Sequence, residues 1–123
     1  MITLRLPWPP SVNQLRRPGL VAGHWRLINT KVAQIYYACA RQALRTWGGK
    51  PYATPVHIIY EFHPPDKRKR DIFNLEKILS DSLVKAKVLA DDRLIHHGEV
   101  VLASNAKPGF VIVYIEPLNK ETK

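Results

Sequence analysis

The sequence predicts a single α+β domain in which a mixed four-stranded sheet carries two helices packed on one face. Four segments have the alternation or the β-branched composition of strands, and two have apolar residues at helical spacing. They follow one another in the order β-α-β-α-β-β. Each helix has a single apolar stripe, and packing both stripes on one sheet face buries them economically. The 123 residues fit one domain, so residues 1–123 are treated as one unit.

The first strand and the first helix are separated by a segment without periodicity. Residues 2–6 alternate between apolar and polar side chains, which predicts a half-buried strand, and Pro7 begins the proline cluster that ends it. Residues 11–26 show neither period and predict a loop of about sixteen residues, long enough to be functional. Asn29 or Thr30 is suited to cap the helix that follows.

The first helix is predicted by its apolar stripe and by the glycines that end it. Gly48-Gly49 stops it before the second strand, Val56–Phe62, which is rich in β-branched and aromatic residues. Cys39 falls on the stripe, so a buried structural thiol is expected. As the only cysteine it cannot form an internal disulfide, which fits a reducing compartment. The stripe consists of Val32, Ile35, Tyr36, Cys39, Ala43 and Trp47.

The second half of the chain predicts a helix between two acidic sites, followed by two strands. Asp71 is placed to cap a helix that runs to about Lys87. Asp91-Asp92 leads into a third strand over residues 94–103, with a break near its two histidines. A loop containing proline and glycine then precedes the fourth strand, Phe110–Ile115.

The charge balance favours a nucleic-acid partner. Lysine and arginine number 19 against 10 acidic residues, a net charge of +9, and an excess of this kind is typical of proteins that bind phosphates. A generally basic protein is the alternative. Four consecutive cations are either phosphate contacts or a solvated run, and three arginines of the predicted loop are further candidates. These residues are Lys67, Arg68, Lys69 and Arg70 in the run, and Arg16, Arg17 and Arg26 in the loop.

Several other functional classes lack support in the sequence. The start of the chain has no signal-peptide pattern, and no window has the roughly 18 apolar residues that a membrane span needs. We therefore expect a cytoplasmic protein without a membrane partner. There is no Walker loop, zinc-ligand spacing or Ser-His-Asp order, and no small-molecule cofactor is indicated. His96 and His97 are adjacent on a strand, so their side chains point to opposite faces and do not form a metal pair.

The carboxylates beside the basic run suit a hard divalent cation. Hydrolysis of a phosphodiester needs a positioned water and stabilised charge, and Mg²⁺ held by one or two carboxylates supplies both. Asp71, Asp91 and Asp92 are the candidates, with a helix cap and a solvated turn as the simpler interpretations. Lys77 projects from the start of the helix, where its ammonium can bind phosphate. Asn74 is a candidate DNA contact and can also orient a water or a ligand. The spacing does not establish whether Asp71 and Asp92 meet.

Three separated motifs resemble the RusA family of Holliday junction resolvases. They read Leu6-Pro7-Trp8-Pro9-Pro10-Ser11-x-Asn13, then Pro65-Asp66-x-Arg68-x-Arg70-Asp71-x-x-Asn74-Leu75-x-Lys77, then Asp81-x-Leu83 followed by Asp91-Asp92. The resemblance covers most of the chain. It implies a homodimeric endonuclease of bacterial or phage origin that depends on Mg²⁺, with Mn²⁺ as the alternative ion. Such an enzyme binds four-way DNA junctions by their structure and nicks two strands symmetrically.

The resemblance also assigns the site and exposes one departure. It implies metal binding by Asp71 and Asp92, with Asp91 assisting, and makes Lys77 the essential lysine. Where the family usually has a further aspartate, this chain has Phe73. Glu76, three residues on, is placed to replace that carboxylate in part. The alternative function is a junction-binding protein that has lost cleavage, and Phe73 itself either stacks on an unpaired base or is buried in the core.

Overall fold

A computed structural model of the chain describes residues 1–10 and 16–118, with Arg16 described by its backbone alone. The strands are β1 (Ile2–Pro7), β2 (Arg16–Val21), β3 (His24–Asn29), β4 (Val56–His63), β5 (Ile95–Leu102) and β6 (Phe110–Pro117). The helices are α1 (Lys31–Ala43) and α2 (Glu76–Lys85), and short 3-10 turns cover Leu44–Thr46, Ile72–Leu75 and Asp92–Leu94. Within these ranges no helix is long and apolar enough to cross a membrane.

The central sheet is mixed, which confirms the α+β prediction. Its strand order is β1-β6-β4-β5, with β6 antiparallel to both of its neighbours and β4 parallel to β5. A parallel pair needs a long crossover connection, and the segment that contains α2 supplies it. Within the described sheet β5 is an edge strand that pairs only with β4.

Both helices pack on one face of this sheet, again as predicted. Alternate residues of β4, from Val56 to Phe62, are almost fully buried and share one core with the helices. The core residues of the helices are Tyr36 and Ala40 of α1 and Ile78, Leu79 and Leu83 of α2. The intervening side chains of β4 point to the opposite face, because neighbours on a strand alternate, and these side chains are only partly buried.

The predicted loop over residues 11–26 is wrong from residue 16 onward, since β2 and β3 form a separate antiparallel hairpin. The first part of that loop, residues 11–15, lies outside the described part of the chain. Ala22 and Gly23 make the two-residue turn and have φ of 52° and 80°, the left-handed values that tight hairpins favour. The sequence did not predict this turn, because alanine is not a typical turn residue. It did not predict β2 either, because proline and glycine, here Pro18 and Gly19, are uncommon inside strands. A side chain at Gly19 would meet Ile28 of β3, with a Cβ only 2.6 Å from its Cδ1.

Helix α1 buries a different face from the one that the sequence predicted. Its buried residues are Ala33, Tyr36 and Ala40, and the predicted buried thiol of Cys39 is wrong because Cys39 is exposed. The two alanines allow close approach to the sheet, and the Tyr36 hydroxyl donates to the Pro7 carbonyl oxygen at 2.8 Å. Thr30 is the N-cap, accepting a hydrogen bond from the Ala33 amide at 3.2 Å. These contacts determine the rotation of the helix, whereas hydrophobicity alone favoured its neighbouring stripe.

Candidate active site

A cavity of about 480 Å³, here called the acidic pocket, lies where the start of α2 meets β4 and β5. Its polar lining includes Glu76, Lys77, Asp92 and, from β5, Glu99, and Phe73 and Tyr60 add aromatic surface. These residues come from β4, β5, two 3-10 turns and the first turn of α2. The pocket therefore brings together two of the predicted site residues, Lys77 and Asp92, with Phe73 and Glu76, which the sequence also singled out.

Lys77 and Asp92 are in direct contact, although fifteen positions separate them. The Lys77 Nζ donates to Asp92 Oδ2 at 3.2 Å and lies 3.5 Å from Asp81 Oδ1. The sequence left open whether Asp71 and Asp92 meet, because the predicted helix is about 24 Å long and the return segment reaches only about 20 Å. The observed α2 has ten residues, so it is about 15 Å long. The chain can therefore return to the start of the helix within the available length.

The carboxylates beside Lys77 hold its proton firmly. The hydrogen bond with Asp92 raises the pKa of Lys77 above its ordinary value, and the negative charge of Asp81 raises it further. Because the folded-state pKa is raised, this interaction stabilises the fold at pH values below the ordinary lysine pKa, about 10.4. The stabilisation is lost as the pH rises through the folded-state pKa. At neutral pH the ammonium is therefore charged and available to an anion.

We expect Asp92→Asn to lower the pKa of Lys77, because the replacement removes its main hydrogen-bonding carboxylate. The measurement is an NMR titration of the Lys77 side-chain carbon signals in both proteins. Asp91→Asn is the matched control and should leave the Lys77 pKa unchanged. An Asp92→Asn protein whose Lys77 titrates as in the wild type would refute the assigned contact.

Asp71 caps the 3-10 turn that leads into α2, as the sequence predicted. Its Oδ1 accepts from the Phe73 amide at 3.2 Å, and its Oδ2 accepts from Asn74 Nδ2 at 2.9 Å. Asn74, a predicted DNA contact, therefore orients the Asp71 carboxylate in this structure. Each carboxylate oxygen retains a free acceptor position, because an ionised carboxylate has about four.

Asp91 is engaged by its neighbour Arg93 and not by Lys77. Its Oδ2 lies 2.8 Å from Arg93 Nη2, and its Oδ1 accepts from the Arg93 amide at 2.8 Å. The hydrogen bonds with the Arg93 side chain, followed by that amide, hold the pKa of Asp91 far below its usual range. Among the described residues, the carboxylates of Asp71, Asp91 and Asp92 do not converge into a three-ligand cluster.

Glu76 presents a carboxylate to the acidic pocket and is held there by a buried network. Its Oε2 accepts a hydrogen bond from Ser80 Oγ, which lies 2.7 Å from the Tyr60 hydroxyl. Tyr60 and Ser80 are each 1% exposed, and burial raises the pKa of Tyr60 so that it stays protonated. Because Ser80 gives its proton to an acceptor-only carboxylate, Tyr60 must donate to Ser80. Sequence reasoning missed both supporting hydroxyls, since they looked like ordinary core positions.

Phe73 stands in solvent beside these polar groups. It is 75% exposed, so the interpretation that it is buried in the core is wrong. Its ring is one wall of the pocket that Glu76 and Asp92 line. An aromatic face at this place is available to a ligand.

The basic run divides into exposed and supporting residues. Lys67, Arg68 and Lys69 are exposed, whereas the Arg70 side chain is only 15% exposed. Arg70 lies 2.8 Å from Asp66 and above the Trp8 ring at 5.4 Å. The four cations therefore do not form one uniform surface.

The three arginines of the predicted loop lie on the β2–β3 hairpin. Arg17 and Arg26 are exposed there. The side chain of Arg16 lies outside the described part of the chain.

Two comparisons with known proteins point to one family. The sequence matches the family model described as "Endodeoxyribonuclease RusA" over residues 7–116. It is 32% identical to the crossover junction endodeoxyribonuclease RusA of Escherichia coli (strain K12), with 97% of each chain covered. The protein of the same name from Shigella sonnei (strain Ss046) is 31% identical over 97% of each chain. The relative from Enterobacteria phage 82 is 31% identical over 96% of each chain.

Proposed function

Because the chain belongs to the endodeoxyribonuclease RusA family, we propose that it is a Mg²⁺-dependent, structure-selective endonuclease. In this proposal it binds four-way DNA junctions and resolves them by paired symmetric nicks, and Mn²⁺ is the alternative ion. The observation that carries the proposal is the 3.2 Å contact between Lys77 and Asp92 in a pocket open to solvent. Sequence-distant residues of the two chemical types that phosphodiester cleavage requires meet there.

The donors at the acidic pocket suit a hard divalent cation, because they are carboxylate oxygens. We assign as ligands Asp92, which lines the pocket, and Asp71, which caps the 3-10 turn that contains Phe73, with Asp91 assisting from the position before Asp92. A compact set of three carboxylates is not required, since Mg²⁺ usually keeps several waters and binds one or two carboxylates plus substrate phosphate. When bound, the ion would lower the pKa of a water and neutralise charge on the phosphate.

Lys77 contributes positive charge to the same reaction. Its side chain is 66% exposed, so the ammonium can leave the carboxylates and contact the scissile phosphate. A preorganised cation at that point stabilises the charge that develops on the phosphate oxygens. Asn74 supports the reaction indirectly, because it fixes the orientation of Asp71.

The exposed cations supply affinity for DNA. Lys67, Arg68 and Lys69 would contact backbone phosphates, and Arg17 with Arg16 on the hairpin would extend this surface. Arg70 would contribute its charge from a partly buried position. Such contacts give salt-dependent binding with little sequence reading, which suits recognition of a branched shape. We therefore expect junction affinity to fall steeply as salt concentration rises.

Glu76 replaces part of the function of the carboxylate that Phe73 displaces. Glu76 and Phe73 are three positions apart and line the same pocket. The hydrogen bond from Ser80 orients the Glu76 carboxylate before any ligand arrives. The second candidate function, a junction-binding protein without cleavage, is favoured by the exposed phenylalanine, whose ring can stack on an unpaired base.

A homodimer would supply the two sites that paired nicks require. Large apolar side chains without cover on the monomer are consistent with a second copy of the chain: Leu20, Trp25 and Leu27 on the hairpin and Val32 and Ile35 on α1 are exposed. The bacterial and phage relatives suggest action on DNA in the bacterial cytoplasm.

Cleavage of a labelled four-way junction by four proteins tests this function: the wild type, Glu76→Gln, Phe73→Asp and the double variant that carries both changes. The wild type should cut in the presence of Mg²⁺. Glu76→Gln should lower its rate at least about tenfold, because even outer partners of a metal site have effects of that size. Phe73→Asp should cut faster than the wild type and should tolerate Glu76→Gln better, since it regains a carboxylate.

Matched binding measurements separate the two candidate functions. All four proteins should bind the junction comparably, because the substitutions leave the exposed cations intact. Binding without cleavage by the wild type, with cleavage appearing in Phe73→Asp, would establish the non-cutting alternative. Equal effects of Glu76→Gln on wild type and Phe73→Asp would refute the replacement role of Glu76.

A further inference from the structure

Two histidines and a glutamate meet on the sheet face opposite the helices. His57 lies on β4, and the parallel register places it beside His97 of β5. Glu99 is two residues beyond His97, so its side chain points to the same face. His57 is partly buried, and His97 and Glu99 are exposed. Glu99 also lines the acidic pocket, but none of the roles assigned to that pocket uses any of these three side chains.

The distances among these groups are short. His57 Nε2 lies 2.8 Å from Glu99 Oε2. The imidazole rings of His57 and His97 lie face to face, with centroids 4.3 Å apart and an interplanar angle of 14°. One potential ligand atom from each of the three residues lies within 4.8 Å of the other two. This is the one such cluster of three histidine, cysteine or acidic side chains in residues 1–10 and 16–118.

We propose that His57, His97 and Glu99 bind one transition-metal ion of the Zn²⁺ class, at a site that adjoins the acidic pocket through Glu99. Imidazole nitrogen suits Zn²⁺ and its neighbours in the transition series, whereas Mg²⁺ takes oxygen ligands. Two histidines with one carboxylate also leave a fourth position for water, as in open tetrahedral zinc sites. The two cation sites would therefore select different metals.

Binding requires a modest rearrangement of the exposed side chains. Zinc bonds to histidine and carboxylate measure about 2.0–2.2 Å, so the three donors must move closer together. The nitrogen lone pairs of the two stacked rings lie in parallel planes, so they cannot both point at one ion. The His97 ring must therefore turn about its side-chain bonds to face the ion. The exposure of His97 gives it room for this rotation.

An ion at this site would link β5 to β4, because its ligands come from both strands. Within the described sheet β5 pairs with β4 alone, and it begins directly after the turn that contains Asp92. Binding to the folded state should raise the thermal midpoint of the protein in proportion to the logarithm of the free metal concentration. This inference does not rest on the proposed nuclease activity, because neither the ligands nor the effect involve DNA.

Calorimetric titration of the full chain, purified without a histidine tag, with ZnCl₂ tests the site. We expect one ion per chain, and the same stoichiometry with CoCl₂, whose absorption spectrum reports the nitrogen ligands. His97→Asn and Glu99→Gln should each weaken binding by more than about 100-fold, since loss of an outer partner alone costs 10–100-fold. His96→Asn is the matched control, because His96 neighbours His97 in the chain and is not one of the three clustered residues.

The thermal midpoint gives a second readout on the same proteins. Zn²⁺ should raise it for the wild type and for His96→Asn and not for the other two variants. No binding by the wild type, unchanged binding by His97→Asn and Glu99→Gln, or equal loss in His96→Asn would overturn the proposed site.

Discussion

Replacing Lys77 with methionine is expected to lower the rate of junction cleavage by at least about 10²-fold, the effect of removing one preorganised stabiliser of developing charge. Methionine keeps much of the aliphatic length and removes the ammonium that contacts Asp92 and Asp81. The rate is measured in single-turnover cleavage of a labelled four-way junction with saturating Mg²⁺. Lys31→Met is the charge-matched control, because Lys31 begins α1 and does not line the acidic pocket.

The loss should appear in the chemical step and not in binding. Lys77 is one of 19 basic residues, so its removal should change junction affinity little compared with its effect on cleavage. The fold should also persist, because the side chain is 66% exposed. Cleavage by Lys77→Met at the rate of the Lys31→Met control would contradict the role assigned to this lysine.

The second large effect is on the free energy of unfolding. It is tested by comparing a buried phenylalanine, Phe62, with an exposed one, Phe73. Phe62 is 0% exposed and packs edge-to-face against Trp8, with ring centroids 5.7 Å apart. Phe62→Ala should lower the free energy of unfolding by about 3–5 kcal/mol, the usual cost of emptying a buried aromatic site. Phe73→Ala should change it by no more than about 0.5 kcal/mol, because Phe73 is exposed.

Urea unfolding followed by circular dichroism measures both values. The m-value should stay constant across the three proteins, so that the shift in midpoint reports stability alone. A comparable loss in both variants would show that Phe73 supports the core and would contradict the surface position that the proposed function requires.

Periodicity predicted the central sheet and its two helices, because alternation and helical spacing reflect burial directly. Periodicity did not predict elements that bury little surface, and it did not predict the orientation of a helix that a few specific contacts determine. The β2–β3 hairpin has little buried surface and a turn built on Ala22-Gly23. The rotation of α1 depends on Tyr36 and two alanines, which hydrophobicity ranks below Val32 and Ile35.

The site shows the same division. Motifs in the sequence selected Asp71, Lys77 and Asp92, but their spacing did not establish whether the two ends of the predicted helix meet. The contact between Lys77 and Asp92 depends on where α2 ends. The cluster at His57 was missed because it depends on the pairing of β4 with β5, whose register shifts between Val56 and His57. Alternation along one strand shows which face each side chain takes, but it does not show which residue of the neighbouring strand lies beside it.

The most direct measurement of the central claim is the rate at which the wild-type chain cuts a synthetic four-way junction, relative to a linear duplex of the same sequence, in Mg²⁺. We expect rapid, paired nicks in the junction and little cutting of the duplex, and Asp71→Asn should cut neither substrate. Absence of junction cleavage in Mg²⁺ and in Mn²⁺, or equal cutting of junction and duplex, would contradict the central claim.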